Sequence, residues 1–95
     1  MIYEILPAGR ENALTGRTLA DMFKCDIRII TAQIEKERRD GHPICATKQG
    51  YFLPANNGEL QAYCDRLKGR AVELFRTRQA LIRVLRQRRE ALNNG

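Results

Sequence analysis

From Leu60 to Leu92 the chain has no proline and one glycine, Gly69, and its apolar residues recur in steps of four and three. The positions are Leu60, Cys64, Leu67, Ala71, Leu74, Arg78, Leu81, Leu85, Arg88 and Leu92, and only the two arginines break the apolar run. This spacing lines one face of a helix and marks a heptad seam. Tyr63, Phe75, Ile82 and Val84 widen the face beyond a strict two-stranded seam. At 1.5 Å per residue such a helix is roughly 50 Å long. The 59 residues that precede it cannot cover that length, so part of the apolar face must find another chain. The expected partner is a second copy, with Leu60, Leu67, Ala71, Leu74, Leu81 and Leu85 as oligomerisation residues. Arg78 and Arg88 on the seam would oppose their own copies in a parallel pair, whereas an antiparallel pair could bring Asp65 or Glu73 near them.

Charge divides the chain at the same place. Residues 1–57 carry eight basic and seven acidic residues, a net of +1, whereas residues 58–95 carry nine and four, a net of +5. A basic balance suggests an anionic partner. Arg76, Arg78, Arg83, Arg86, Arg88 and Arg89 precede the next acid, Glu90. Six arginines exceed what the helix dipole asks of a C-terminal turn. Either they solubilise a coiled-coil face, with long stems lying over apolar surface, or they grip nucleic acid or an acidic protein.

Several functions are disfavoured. No apolar run approaches the roughly 20 residues of a membrane span, and the start, "MIYEILPAGR", lacks the charge and apolar stretch of a signal peptide, so the expected compartment is the cytoplasm. Cys25, Cys45 and Cys64 stand about 20 residues apart without a C-x-x-C pair, which suggests reduced, mostly packed thiols and not a metal site. The lone His42, after a helix end, reads as a solvated loop residue. With no nucleophile–base pair, phosphate loop or acidic dyad, we expect neither catalysis nor a cofactor.

The first half reads as two short helices and a hairpin. Residues 2–6, "IYEIL", are open between a turn and a half of helix and a short strand, and "GRENALTG" is a connector. Thr15 is a good N-cap for a helix over 16–23, bearing Leu19, Ala20, Met22 and Phe23. Lys24-Cys25 forms a tight turn. Asp26 caps a second helix over 27–40, which ends at Gly41 with a left-handed C-cap. At 100° per residue Ile27, Ile30 and Ile34 point inward, while Arg28, Ala32, Glu35 and Arg39 point outward, flanked by Thr31 and Lys36. Pro43-Ile44-Cys45 and Tyr51-Phe52-Leu53, joined by Thr47-Lys48-Gln49-Gly50, read as a hairpin. A two-stranded ribbon is unstable alone, so its apolar residues must close the core over the helices.

The stretch "LTGRTLADMFKCDIRIITAQIEKERRDGHPICATKQGYFLP" resembles the winged helix-turn-helix at the N-terminus of biotin repressors and deoxyribose-type repressors. Leu19-Ala20, the turn at Lys24-Cys25, Ile30, Ile34, Gly41, Pro43-Ile44 and Gly50-Tyr51-Phe52-Leu53-Pro54 follow that family's layout. The chain is also similar to small phage and prophage proteins that join such a domain, including the "GRENAL" lead-in, to one long C-terminal helix. Two positions depart from the family. Lys24 stands where glycine is usual. Glu37 lies on the inner face, where leucine or alanine is common, and is expected at the rim or paired with an arginine, because an unpaired buried carboxylate is costly.

The resemblance implies a mainly α fold with a small β-hairpin: a winged helix-turn-helix over residues 1–56, then a long coiled-coil-like helix over 57–95. It implies double-stranded DNA as partner, with helix 27–40 in the major groove. Arg28 is the candidate for guanine, Thr31 for a thymine methyl or a phosphate, and Ala32 permits close approach. Lys36, Arg39 and Arg17 would hold phosphates, and Lys48 and Gln49 at the hairpin tip would reach the minor groove or flanking phosphates. Glu35 on this stripe repels phosphate, and a net of +1 is low for a domain that binds DNA alone. The alternative is a protein-interaction adaptor docking onto a phage replication or packaging partner.

Overall fold

A computed structural model describes residues 1–94. Its helices are α1 (Gly16–Phe23), α2 (Ile27–Arg39) and α3 (Asn57–Asn94), and a two-stranded antiparallel sheet joins β1 (Cys45–Thr47) to β2 (Gly50–Phe52). Short 3-10 turns lie at Ile2–Glu4 and Arg10–Asn12. The chain is therefore mainly helical with one small hairpin. It divides into two compact units, Met1–Tyr63 and a second beginning at Cys64.

In the first unit both short helices start on the expected caps. Thr15 Oγ1 accepts from Thr18 N–H at 3.0 Å, and Asp26 Oδ1 accepts from Arg28 N–H at 2.8 Å. Each satisfies an amide that the helix itself leaves open, a contribution of about 1 kcal/mol. Lys24 closes α1 with φ 53° and ψ 49°. It is the only non-glycine with positive φ among the described residues, so the tight turn is made without glycine and at some steric cost. Asp40 caps α2, and Gly41 follows at φ 101°.

Ile2, Leu6, Leu19, Ala20, Ile30, Ile34 and Ile44 form the core, with Tyr3, Leu14, Cys25, Tyr51 and Leu53 packed against it. Full burial of such aliphatic side chains contributes about 1.5–3 kcal/mol each. The expectation that Ile27 joins this core is not met: it is 47% exposed. It lies on the first turn of α2 beside the start of α1, where its Cδ1 is 3.2 Å from the point that a Cβ on Gly16 would occupy. Its helical angle is correct, but the eight-residue α1 leaves too little protein there to cover it.

The hairpin pairs Cys45 with Phe52, Ala46 with Tyr51 and Thr47 with Gly50. Its other edge is also occupied. Tyr51 N–H donates to the Leu14 carbonyl at 2.7 Å and Leu14 N–H donates to the Tyr51 carbonyl at 2.9 Å. Leu53 N–H donates to the Pro7 carbonyl at 2.9 Å, and Gly9 N–H donates to the Leu53 carbonyl at 2.8 Å. Pro7 and the connector read over "GRENALTG" thus hold β2 and the following Leu53 on the side away from β1. Gly50, at φ 129°, is required here, because a Cβ would overlap the Leu14 carbonyl.

Glu37 corrects the second expectation. It is neither at the rim nor paired with an arginine, but fully buried. Its carboxylate accepts from Ile2 N–H at 2.9 Å, Tyr3 N–H at 2.7 Å and Gln33 Nε2 at 2.8 Å. Burial raises its pKa, but the amides of Tyr3 and Ile2, the Gln33 side chain and the N-terminal ammonium together outweigh that effect, leaving the carboxyl below its ordinary value. The first residues of the chain are thereby fastened to α2. His42 is likewise not simply solvated: its ring stacks on Tyr3 at 3.6 Å between centroids.

The first unit runs to Tyr63 and so takes in the opening turns of α3, beyond the residue-57 boundary suggested by charge. Asn56 Oδ1 accepts from Glu59 N–H at 2.9 Å, and the Glu59 carboxylate accepts from Ala55 N–H at 2.8 Å and Arg10 N–H at 3.2 Å. Leu60 is half-buried here. The second unit is helical, and no described residue of α3 is fully buried.

Candidate nucleic-acid interface

The outward side of α2 carries Arg28, Thr31, Ala32, Glu35, Lys36 and Arg39, all exposed. On a regular helix these six fall within about 140° of arc. The opposite side carries Ile30, Ile34 and Glu37, all buried. Two isoleucines in the core and three hydrogen bonds on one carboxylate fix the rotation of the helix, and that rotation fixes what the outer stripe presents.

Each polar side chain on the stripe has its own local geometry. Arg28 is 88% exposed, with its Nε 3.3 Å from Asp26 Oδ1. Arg28 lowers the Asp26 pKa, first through its backbone amide and then through its side chain. The N-cap carboxylate therefore holds Arg28 near the N-terminus of α2. Thr31 Oγ1 donates to the Ile27 carbonyl at 3.1 Å, which occupies its proton and leaves lone pairs available to accept. Among the described residues Arg17, Lys36, Arg39 and Lys48 form no ion pair.

Glu35, the residue expected to repel phosphate, is neutralised. Arg38 Nη1 lies 2.7 Å from its Oε1. Arg38 also donates from Nε to the Ile44 carbonyl at 2.8 Å. Its guanidinium carbon stands 5.0 Å from the Tyr63 ring centroid and 6.0 Å from that of Tyr51. Arg38 thus links α2, the base of the hairpin and the start of α3, while a cation over aromatic faces gains further attraction. Its Nη2 is buried with no hydrogen-bond partner among the described residues. Sequence reading missed this positioning residue. The available signal was Glu35 three residues before it, at the spacing of a helical ion pair.

The hairpin tip presents Lys48 and Gln49 to solvent. The turn is ordered locally, with Gln49 N–H donating to Thr47 Oγ1 at 3.2 Å. Arg17 is exposed on the first turn of α1. The first unit thus displays all eight expected DNA-contacting residues. Of the expected oligomerisation residues, Leu60 belongs to that unit, and Leu67, Ala71, Leu74, Leu81 and Leu85 are exposed in the second. Among the described residues no group of acidic, histidine and cysteine side chains could hold a metal, and no helix is long and apolar enough to cross a membrane.

Comparison with protein-family models, with curated proteins and with solved structures returned no match, so the functional reading rests on these residues.

Proposed function

We propose that this chain is a DNA-binding protein of the winged helix-turn-helix kind, a phage, prophage or bacterial regulator that acts as a homodimer. In this reading α2 enters the major groove and the β1–β2 hairpin is the wing. Arg28 reads a guanine edge, Thr31 and Ala32 meet the neighbouring base, Lys36, Arg39 and Arg17 hold phosphates, and Lys48 and Gln49 contact flanking DNA. The observation that supports the reading is the exposed α2 stripe, fixed in rotation by the buried face behind it, with its one acidic side chain paired to Arg38. A net of +1 in the first half makes a lone domain a weak binder. Two domains in one dimer add their contacts, which offsets that weakness.

The test is selection of bound duplexes from a random pool at two salt concentrations, followed by two variants. Arg28→Ala should lower discrimination at one base position by about 1–3 kcal/mol. Lys36→Ala should weaken all sequences alike and reduce the salt slope by about 1. Binding identical to wild type in both variants would remove the major-groove assignment.

One observation favours a second reading, a protein-interaction adaptor. Met1, Ile2, Phe23, Cys25, Ile29, Ile30 and Gln33 line an open, mainly apolar groove of 230 Å³ beside the first turns of α2, and Met1, Phe23 and Ile29 are exposed there. Contiguous exposed apolar surface of this kind marks interaction sites. Ile29→Glu tests the adaptor: loss of a co-purifying protein partner, with no duplex selected by variant or wild type, favours the adaptor, whereas duplex selection by the wild type favours DNA binding.

A further inference from the structure

The apolar stripe of the second unit is largely exposed among the described residues. Leu74 is 73% exposed, Leu81 63% and Phe75 57%, with Leu67 and Leu85 also exposed along the same face. Water-facing leucines on this scale, repeated at seam spacing, require a partner with a matching stripe. A second copy of this chain has one. The question is its direction.

We infer that the second unit pairs with the same segment of another copy in antiparallel orientation, centred near Arg76. This rests on the dimer reading above and adds orientation and register to it. Steps of four and three read the same from either end, so reversing one helix about that centre brings seam position onto seam position. Leu67 then faces Leu85 of the partner subunit, Ala71 faces Leu81 of the partner subunit, and Leu74 faces Arg78 of the partner subunit. Cys64 faces Arg88 of the partner subunit.

Two features of the sequence select this direction. In a parallel, in-register pair Arg78 would face the partner's Arg78, and Arg88 the partner's Arg88, placing like charges at two seam layers. In the antiparallel pair each of these arginines faces an uncharged residue, with its long stem on apolar surface and its head free to reach solvent or an acid. The acids are also unevenly placed. Before Arg76 in this unit, Asp65 and Glu73 nearly balance Arg66, Lys68 and Arg70, a net of +1, whereas Arg78, Arg83, Arg86, Arg88 and Arg89 follow it with Glu90 alone, a net of +4, so a parallel pair would set the two strongly basic halves side by side. Reversal sets the arginine-rich half beside the half that carries two of the unit's three acids, and Arg78 then lies within side-chain reach of the partner's Glu73. Glu73 already holds Arg76 at 3.0 Å on an exposed surface, so it can serve a second guanidinium.

The experiment uses the full-length chain and the natural thiol at Cys64, which is exposed and free. Arg88→Cys, equilibrated in a glutathione redox buffer, should form a covalent dimer whose peptide map contains Cys64 joined to the thiol introduced at position 88. Sedimentation of the reduced protein reports association separately. A dimer joined Cys64 to Cys64, or one of unchanged mass without a bond between Cys64 and position 88, overturns the orientation while leaving the dimer standing. A monomer at all concentrations overturns the dimer itself. As a second measurement, Arg78→Glu mixed with wild type should give mixed dimers in statistical proportion, because position 78 does not face its own copy. A strong preference for the mixed species would show a parallel pair and sink the proposal.

Discussion

Helix α2 and the later turns of α3 are both amphipathic, yet they stand in opposite situations. The inner face of α2 is closed at Ile30 and Ile34 within its own unit by Leu19, Ile44 and the N-terminal turn, although Ile27 stays exposed, and even its inward carboxylate is satisfied. The apolar side of α3 beyond Tyr63 is exposed at almost every position. A helix whose inner face is closed can hold its outer face as a fixed display, the condition for reading base edges. A helix whose inner face is open has part of its stabilisation still to gain, which in the proposed reading a second chain supplies. In the proposed reading, the contrast separates a recognition element from an assembly element within one short chain.

The comparison can be broken first at the core. Ile34→Ala should destabilise the first unit by about 2–5 kcal/mol, at any protein concentration, as read by denaturant unfolding. A concentration-dependent loss would mean that α2, too, depends on assembly. In the second unit the expected behaviour is reversed. Leu74→Asp plus Leu81→Asp should yield a monomer by sedimentation, while local unfolding of the first unit is unchanged. An unchanged mass would remove the seam.

Glu37 gives a finer test. Removing its charge by Glu37→Gln leaves the Ile2 and Tyr3 amides with a poorer acceptor and should cost about 1–3 kcal/mol at neutral pH. Its folded pKa lies below the ordinary 4.5, so the stabilisation is complete above that value and fades as pH falls below it toward the folded pKa. The gap between wild type and variant should narrow over that acidic window, as followed by thermal melts. A gap constant with pH would show that the carboxylate charge is not what holds the N-terminal turn. The smallest expected effect is at Lys24. Relieving its left-handed backbone with Lys24→Gly should raise stability by about 0.5–1 kcal/mol, less than the full steric relief because glycine is freer in the unfolded chain.

Both short helices, their caps, the hairpin and the long helix were legible in the sequence, because caps, turn residues and periodicity are local. The outer stripe of α2 was legible for the same reason, since the angle between Arg28 and Ile30 follows from helical geometry alone. What the sequence hid was every feature that depends on residues far apart in the chain. The amides that receive Glu37 lie 34 and 35 positions away. The bonds that hold the outer edge of β2 come from single residues in an irregular connector, too few to leave a strand pattern. Arg38 gains its role only because Ile44, Tyr51 and Tyr63 converge on it.

Periodicity and capping thus determined which residues share a face, since these depend on a few neighbours and on the fixed rise and rotation of a helix. Which faces are closed, which charges are spent internally and which remain outside was decided only in three dimensions. Burial and ion pairing depend on how much protein stands opposite a side chain. Ile27 has the right angle and too little protein before it, whereas Glu37 has the wrong chemistry for a core and three donors waiting there.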